Sequence, residues 1–318
     1  MALVKVLYHG HCFDGFSSAA VFTRFYRECI DSSAEFTYEG MRHGAPVPVD
    51  VTRFDGDVNA IVDFRYSPGS NLDWWFDHHK SSFLNADERA NFDQRRNEQH
   101  FWDPTAPSCC GFIARTLSLK HGFDLSPISE LIDWADEIDS AQFPDAKTAV
   151  ELVDPALQLM TVVQFIGDGE LANQVIEGLS SGEVLETAEL NEIQSRFAPI
   201  KARFDDGMVR LKKMQSVQGD VFYADLTGGT HVPYNKFAPY YLHPELTYVV
   251  VLSQSDDRVK ISVGSNPWRA EHRRHNIAEI CEQYGGGGHP VVGGITLPDI
   301  TADDARRICR EIVETLQN

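Results

Sequence analysis

The sequence predicts an α/β protein with an N-terminal parallel-sheet domain, a helical linker and a smaller C-terminal α/β domain. Short apolar runs alternate with helical patterns over the first third of the chain, an order typical of parallel sheets. A mostly helical stretch follows from about residue 155 to 210, and strand patterns return after it. The 318 residues exceed what one ordinary hydrophobic core accommodates, so two domains are expected. We place them at residues 1–190, linker included, and 205–318.

The first domain contains four predicted strands, "VKVLY", "AEFTYEG", "VNAIVDF" and "LDWWFDHH". An amphipathic helix, "GFSSAAVFTRFYREC", follows the first strand, and helical patterns recur at "APSCCGFIARTLSLKHG" and "ISELIDWADEIDSAQF". Apolar runs such as "AIV" are typical of strands buried on both faces, as in parallel sheets.

The C-terminal domain combines strands and helices in a mixed order. "DVFYADLT", "LTYVVVLSQ" and "RVKISVGS" are predicted strands, and "HNIAEICEQY" and "TADDARRICREIVETLQ" are predicted helices. Thr301 with Asp304 is a suitable start for the last helix, because a Thr hydroxyl can accept the backbone N–H three residues on.

The charge and the apolar pattern restrict the possible partners. The formal net charge is −19, and such a surface repels long polyanions because nucleic-acid affinity depends on Lys and Arg displacing counterions. Long duplex DNA is therefore excluded, whereas a small phosphorylated substrate held by metal is not. No apolar run is long enough to span a bilayer, and the N-terminus lacks a signal-peptide pattern. We expect a cytoplasmic protein with reduced cysteines and no membrane partner.

Polar side chains stand at the ends of three predicted strands. His9 ends the first, Asp63 the third, and the triplet of residues 77–79, "DHH", the fourth. Because the carboxyl ends of parallel strands meet at one edge of a sheet, these side chains are expected to converge there. Each has an ordinary alternative: a helix cap for the aspartates, and core or surface positions for the histidines.

Further acidic residues are ambiguous on their own. Asp14 in "CFDG" is consistent with a turn or a helix cap. Asp133, Asp136 and Asp139 recur every three residues on one predicted helix, and a solvated acidic face explains them unless a metal lies nearby.

Two segments near the C-terminus are candidates for phosphate contact. In "GGGGHPVVGG", Gly286, Gly287 and Gly288 leave backbone N–H groups open to an anion, and His289 stands beside them. A flexible loop is the alternative. "SNPWRAEHRRHN" is a basic and aromatic island, in which Arg269 and Arg273 could bind phosphate. Trp268 could stack on a base, although a solvated loop explains this segment equally well.

Taken together, "YHGHCFDGFSSA", "IVDF", "FDHHKS" and "GGGGHPVVGG" resemble the motifs of the DHH phosphoesterases that carry a C-terminal DHHA1 domain, related to RecJ, nanoRNases and exopolyphosphatases. The resemblance covers nearly the whole chain. It implies an active site between the two domains and two divalent metal ions, usually manganese, that activate water against phosphorus. Such ions suit carboxylate and imidazole ligands.

The resemblance also implies roles for individual residues. His9 and Asp14 would each ligate one ion, Asp63 would bridge both, and His78 would be a further ligand. The fourth-motif aspartate would be Asp136, with Asp139 as a close rival.

The remaining implied roles concern the substrate. Asp77 would support the site, His79 would lie nearer the phosphate, and His289 in "GGGGH" would point at the phosphate. The expected partner is a small phosphorylated molecule or a short oligonucleotide, and a homodimer is left open.

The chain departs from the family pattern at two places. Cys12 stands where many members have a first aspartate. One metal position is therefore expected either to bind its ion more weakly or to use Cys12 or His11 as a ligand, and a thiolate would favour a softer ion such as zinc. "SVGS" at residues 262–265 lacks an arginine found in many oligonucleotide-cleaving members, and Arg269 or Arg273 could replace it. We therefore expect a phosphohydrolase acting on a short oligonucleotide or small nucleotide. A polyphosphate hydrolase and a non-enzymatic nucleotide or metal sensor are the alternatives.

Overall fold

The computed structural model describes residues 1–42, 48–95, 99–228, 233–255, 258–297 and 301–318. It confirms the predicted α/β class. The chain forms two compact units, one of residues 1–142 and 153–197 and the other of residues 143–152 and 198–318. The short segment 143–152 therefore belongs with the C-terminal half of the chain. The functional roles assigned above to the two domains stay predictions.

The first unit is built on an all-parallel sheet of five strands in the order β2-β1-β3-β4-β5. The strands are β1 (Leu3–His9), β2 (Glu35–Met41), β3 (Val58–Val62), β4 (Trp74–Asp77) and β5 (His100–Trp102). All four predicted strands are present, and the three-residue β5 was not predicted. In β4 every residue is buried, as expected for a strand with both faces covered.

Helices cover the faces of this sheet or extend the unit. They are α1 (Phe13–Cys29), α2 (Ala86–Arg95), α3 (Cys109–His121), α4 (Ser129–Asp139), α6 (Pro155–Val163), α7 (Glu170–Ser180) and α8 (Val184–Ala188), while α5 (Ala146–Glu151) lies in the second unit. The apolar side of α1 is buried almost throughout, with Phe16, Phe22 and Phe25 fully excluded from solvent. This burial fixes α1 directly behind β1, and it therefore fixes the β1–α1 turn.

The longest helix is α9 (Asn191–Met214), which runs through the predicted linker. Its residues 191–197 belong to the first unit and the rest to the second. Pro199 lies inside the helix, where its ring removes one backbone donor. None of the helices in the described ranges is long and apolar enough to cross a membrane.

The second unit contains a mixed six-stranded sheet in the order β10-β11-β9-β8-β7-β6. Its strands are β6 (Gln215–Gln218), β7 (Val221–Asp225), β8 (Tyr248–Ser255), β9 (Arg258–Ser265), β10 (Gly287–His289) and β11 (Val292–Leu297), and its helices include α10 (Ala238–Leu242), α11 (Ile277–Glu282) and α12 (Ala302–Gln317). The predicted cap of α12 is present, since Thr301 Oγ1 accepts the N–H of Asp304 at 3.2 Å. Ile312 and Leu316 of α12 pack into the core against β7 and β8.

Candidate metal centre

The carboxyl edge of the parallel sheet gathers the residues that the sequence placed at strand ends. His9 ends β1, Asp63 follows β3 and His78 follows β4. His9 Nδ1 lies 3.1 Å from Asp63 Oδ2, and His78 Nε2 lies 3.5 Å from Asp63 Oδ1. Asp63 is therefore at the centre of the group.

Asp63 is held in an unusual conformation and environment. Its φ is +55°, a region that few non-glycine residues adopt and that recurs at functional sites. The side chain is 1% exposed, and Oδ1 accepts no hydrogen bond from any residue that the structure describes. Burial, followed by the neighbouring carboxylates, raises the pKa of Asp63 well above its ordinary value. A cation at this position would satisfy the open oxygen and lower that pKa.

Asp14 caps a helix, but a different helix from the one that contains it. Its two carboxylate oxygens accept the N–H groups of Cys109 (2.7 Å) and Cys110 (2.9 Å) at the start of α3, where a negative charge is favoured. Burial and the charge of Asp139 raise the pKa of Asp14 to about 7, against the opposing effects of His78 and of these N–H groups. Asp14 therefore does not cap the helix that follows it in the chain, which was the predicted alternative, and it also faces His78.

His78 is oriented for coordination by its other ring nitrogen. Nδ1 donates a hydrogen bond to the carbonyl of Ala106 at 3.0 Å, which directs Nε2 at three carboxylates. Nε2 lies 3.5 Å from Asp63 Oδ1, 3.6 Å from Asp14 Oδ2 and 3.5 Å from Asp139 Oδ2. A backbone acceptor that fixes the ring in this way is the usual support for a metal-binding histidine.

The structure places Asp139, and not Asp136, beside His78, so it favours the rival of the two candidates, and the identity of the fourth-motif residue stays a prediction. Asp136 is bound by side chains of α3 and its N-cap: Arg115 Nη1 donates to Oδ2 at 2.9 Å, and Ser108 Oγ donates to Oδ1 at 2.5 Å. Asp139, one turn further along α4, lies beside His78 instead. The three-residue spacing placed both carboxylates near one helix face, and only the partners on α3 separate them.

Asp77 and His79 form a pair within the site. The buried Asp77 Oδ1 accepts the ring Nδ1–H of His79 at 2.7 Å, and its Oδ2 accepts the hydroxyl of Ser82 at 2.5 Å. Burial opposes ionisation of Asp77, but the hydrogen bond and charge of His79 outweigh it and lower its pKa. Burial also disfavours the charged form of His79, which by itself would lower the pKa. The hydrogen bond and charge of Asp77 outweigh this effect, so the pKa of His79 is raised. Asp77 therefore positions His79 and favours its protonated form.

Cys12 and His11 occupy different surroundings. Cys12, at the N-cap of α1, forms a group with His9 and Asp63. Burial and the nearby carboxylates raise the pKa of its thiol. His11 has φ of +61° and donates its Nδ1–H to the carbonyl of Gln164 at 3.1 Å. Of these two residues, only Cys12 lies in a metal-binding group of the described chain.

The donor set fits divalent cations. Three groups of side chains have ligand atoms within 4.8 Å of one another: His9, Cys12 and Asp63; Asp63, His78 and His79; and Asp14, His78 and Asp139. Asp63 and His78 each belong to two groups, which is the sharing that two neighbouring ions require. The excess of buried carboxylates, two of them with raised pKa values, indicates that positive charge is needed here.

A cleft of about 600 Å³ opens beside His9 and was not predicted from the sequence. Arg42, Gln164 and Phe165 line it with residues 9–11. The N–H of Gly10 donates to the carbonyl of residue 41 at 2.7 Å, so the ends of β1 and β2 lie side by side. Arg42 follows a strand, as Asp63 and His78 do, and this position in the sequence could have identified it as a candidate. Phe165 is 54% exposed and carried no signal.

The glycine-rich segment forms part of a strand pair. Gly287–His289 is the edge strand β10, antiparallel to β11. A Cβ on Gly286 would lie 2.4 Å from the carbonyl oxygen of Gly294, so the close approach of these two backbone segments requires a glycine here. A Cβ on Gly287 would meet nothing within 4 Å, and His289 is exposed. Packing thus explains Gly286 but not Gly287, and phosphate contact by this segment stays a prediction.

The basic island lies next to an aromatic cluster in the same unit. Trp268 donates its indole N–H to the carbonyl of Phe143 at 2.7 Å, and its ring packs edge-on against Phe237. Arg273 donates Nε–H to Ser265 Oγ at 2.8 Å. Arg269 is half-buried, and its Nε has no hydrogen-bond partner among the described residues. Trp268 thus has a structural role, and phosphate binding by Arg269 and Arg273 stays a prediction.

The parallel sheet, with buried aspartates and partly buried histidines at its carboxyl edge, defines a fold that solved structures share. No protein-family model and no curated protein sequence matches the chain. Solved structures do. The pGpG-specific phosphodiesterase PggH from Vibrio cholerae has a TM-score of 0.67 at 20% identity, covering 99% of this chain and 98% of that one.

Two other solved structures are similar to this chain. A DHH domain from a member of a family of ribosomal proteins has a TM-score of 0.64 at 12% identity, covering 99% of this chain and 87% of that one. Exonuclease RecJ bound to manganese has a TM-score of 0.53 at 12% identity, covering 98% and 90%. These similarities establish the fold, and function depends on the site it carries.

Proposed function

We propose that this protein is a metal-dependent phosphohydrolase that cleaves a phosphodiester or phosphomonoester of a short oligonucleotide or small nucleotide. The observation that supports it most is the carboxylate of Asp63, buried and shared by two metal-binding groups, with one oxygen that accepts no hydrogen bond from the described residues. Two divalent ions held there supply an activated water and neutralise the oxygens of the phosphorus centre. Manganese suits the carboxylate and imidazole ligands.

The residues of the site perform distinct tasks under this proposal. Asp14, Asp63, His78 and Asp139 hold the ions, together with His9. Asp77 fixes the ring of His79 through Nδ1, so the imidazolium can stabilise charge on the phosphate or give a proton to the leaving oxygen. Against the effect of burial, the hydrogen bond and charge of Asp77 raise the pKa of His79 and so favour this protonated form.

The cleft beside His9 favours a nucleotide over polyphosphate. Arg42 offers a guanidinium for a phosphate, and the exposed ring of Phe165 offers a surface on which a base can stack. A polyphosphate chain would use the guanidinium but not the aromatic ring. A solved phosphodiesterase of the same fold is specific for pGpG, so pGpG is the first substrate to test.

The test measures metal content and hydrolysis in the same preparation. With Mn²⁺, we expect two ions per chain and release of mononucleotide from pGpG, with little phosphate released from polyphosphate. Phe165→Ala should raise KM for pGpG about fivefold or more, since base stacking contributes about 1–3 kcal/mol. Leu119→Ala, which truncates an exposed apolar residue on α3, is the matched control and should change neither the KM for pGpG nor the metal content.

Other outcomes assign the alternatives. Phosphate release from polyphosphate, unaffected by Phe165→Ala, would favour a polyphosphate hydrolase. Tight nucleotide binding without turnover of any phosphoester, unchanged by Asp63→Asn, would favour a sensor. A protein that binds no divalent ion would contradict the proposal.

A further inference from the structure

We propose that the two ion positions are chemically unequal and that Cys12 supplies a thiolate to the ion beside His9. The inference rests on the metal centre of the proposed function and adds the class of ion for one position. That position would take a thiophilic divalent ion such as zinc or cobalt, whereas the other would take a hard ion such as manganese.

The geometry places the sulfur among ligand atoms. Cys12 Sγ lies within 4.8 Å of a ring nitrogen of His9 and a carboxylate oxygen of Asp63. Ligands bound to one zinc at about 2.0–2.3 Å lie about 3.4–3.7 Å apart in a tetrahedron, so shifts of about 1 Å complete the site. Cys12 has an extended backbone at the N-cap of α1, directly after His11 with its φ of +61°. That turn holds the sulfur on the side of His9.

A second observation points to a cation on the carboxylate of Asp63, which this group shares with the group of His78 and His79. Asp63 Oδ1 is buried and accepts no hydrogen bond from the described residues, although a buried carboxylate without compensation is strongly destabilising. His78 Nε2 lies 3.5 Å from Oδ1, too far for a good hydrogen bond, whereas Oδ2 lies 3.1 Å from His9 Nδ1. The open oxygen therefore faces the second position, and Oδ2 faces the position beside His9.

The contrast with the second group gives the selectivity. Asp14, His78 and Asp139 offer two carboxylates and one imidazole, a set that suits manganese or magnesium. His9, Cys12 and Asp63 replace one carboxylate by sulfur, and thiolate ligands select softer ions. On binding, the Sγ–H bond breaks, the Sγ–metal bond forms and the proton passes to solvent, so no electron is transferred.

A cobalt titration of the full-length, metal-free protein tests the inference by absorption. A thiolate bound to Co²⁺ gives a near-ultraviolet charge-transfer band, which oxygen and nitrogen ligands do not give. We expect two Co²⁺ ions per chain and a band whose intensity corresponds to only one of them. Cys12→Ser should abolish the band. Cys12→Asp should abolish it and lower the preference for Zn²⁺ over Mn²⁺ at this position by about tenfold or more.

Two other cysteines provide matched controls. Cys29 is exposed at the last turn of α1, and the thiol of Cys109 faces the carbonyl of Phe76. The band should persist in Cys29→Ser and in Cys109→Ala. Two bound Co²⁺ ions without a band, or a band that survives Cys12→Ser, would overturn the inference and leave the metal centre intact. A chain that binds no ion at all would instead contradict the proposed function.

Discussion

The carboxyl edge of the first sheet and the glycine-rich strand pair of the second unit differ in how far they exclude water. Asp14, Asp63 and Asp77 are each at most 1% exposed, whereas His289 of β10 is exposed. A buried charge must be paired with an opposite charge or a metal ion. Where the described residues supply too few partners, as at Asp63, the deficit points to a bound cation. Exposed groups are satisfied by water, and their positions restrict function much less. The comparison therefore supports a metal centre more strongly than a phosphate site on β10.

The largest expected effect comes from a substitution at the buried carboxyl edge of the first sheet. Asp63→Asn keeps the size of the side chain but removes the shared charge. We expect kcat/KM to fall by about 10³-fold or more, with loss of bound metal measured by atomic absorption. In chelator-treated protein the same change should raise Tm by about 2–4 °C, because it removes an uncompensated buried carboxylate. A lower Tm without metal would show that Asp63 is structurally satisfied.

A matched pair on α4 gives the next largest effect. Asp139→Asn should remove a ligand, lower kcat/KM by about 100-fold and release one ion. Asp136→Asn should keep both ions and change kcat by less than about threefold. It should lower the free energy of unfolding by about 0.5–1 kcal/mol, since its partner Arg115 is half-exposed. The reverse pattern would restore Asp136 as the ligand.

Substitutions of two glycines test whether the exposed glycine-rich segment at β10 contacts phosphate. Gly287→Ala has room for its Cβ, so Tm should stay unchanged. If its backbone contacts phosphate, KM should rise about fivefold with kcat retained, because one hydrogen bond is lost or displaced. Gly286→Ala should destabilise the protein by about 1–3 kcal/mol in chemical denaturation, because its Cβ clashes with β11. An unchanged KM in Gly287→Ala would contradict a contact between Gly287 and the substrate phosphate.

The smallest expected effect is on stability and concerns the Arg27–Glu177 ion pair, which takes no part in the metal centre. Glu177 on α7 receives two hydrogen bonds from Arg27 and one from Tyr38. Burial raises its pKa, but these partners outweigh burial, so the net pKa is lowered. The resulting stabilisation is present above the unfolded pKa of about 4.3 and is lost as pH falls through the lower folded value.

Glu177→Gln should therefore cost less than about 1 kcal/mol at pH 7 in urea unfolding, because the pair is partly screened by solvent. The difference between variant and parent should shrink below pH 4. Activity and metal content should not change. A constant difference across this pH range would mean that hydrogen bonding, not charge, carries the effect.

The strands and the edge at which they converge were predictable because burial on both faces leaves continuous apolar runs. The three-residue β5 was not, since it is too short for a pattern. His9, Asp63 and His78 could be placed because each follows a strand. The sequence could not separate Asp136 from Asp139, because the side chains that bind Asp136, those of Arg115 and Ser108, lie on another segment.

The cleft residues were beyond sequence reasoning for a related reason. Arg42 and Phe165 are more than one hundred residues apart in the chain, and no local pattern joins them. The glycine-rich run was predicted to contact phosphate, with a flexible loop as the alternative. In the structure three of its residues form β10. The glycines of β10 and β11 let these two strands approach more closely than side chains would permit.

The segment 143–152 has a practical consequence for dividing the chain. It belongs to the second unit, where Phe143 accepts the indole N–H of Trp268, and the carbonyl of Ala149 accepts the amide of Asn235 at 2.8 Å. A single cut near residue 198 would leave this segment on the wrong fragment. An expressed C-terminal piece would then lack both acceptors, whereas a gene fusion that carries residues 143–152 ahead of residue 198 would retain them.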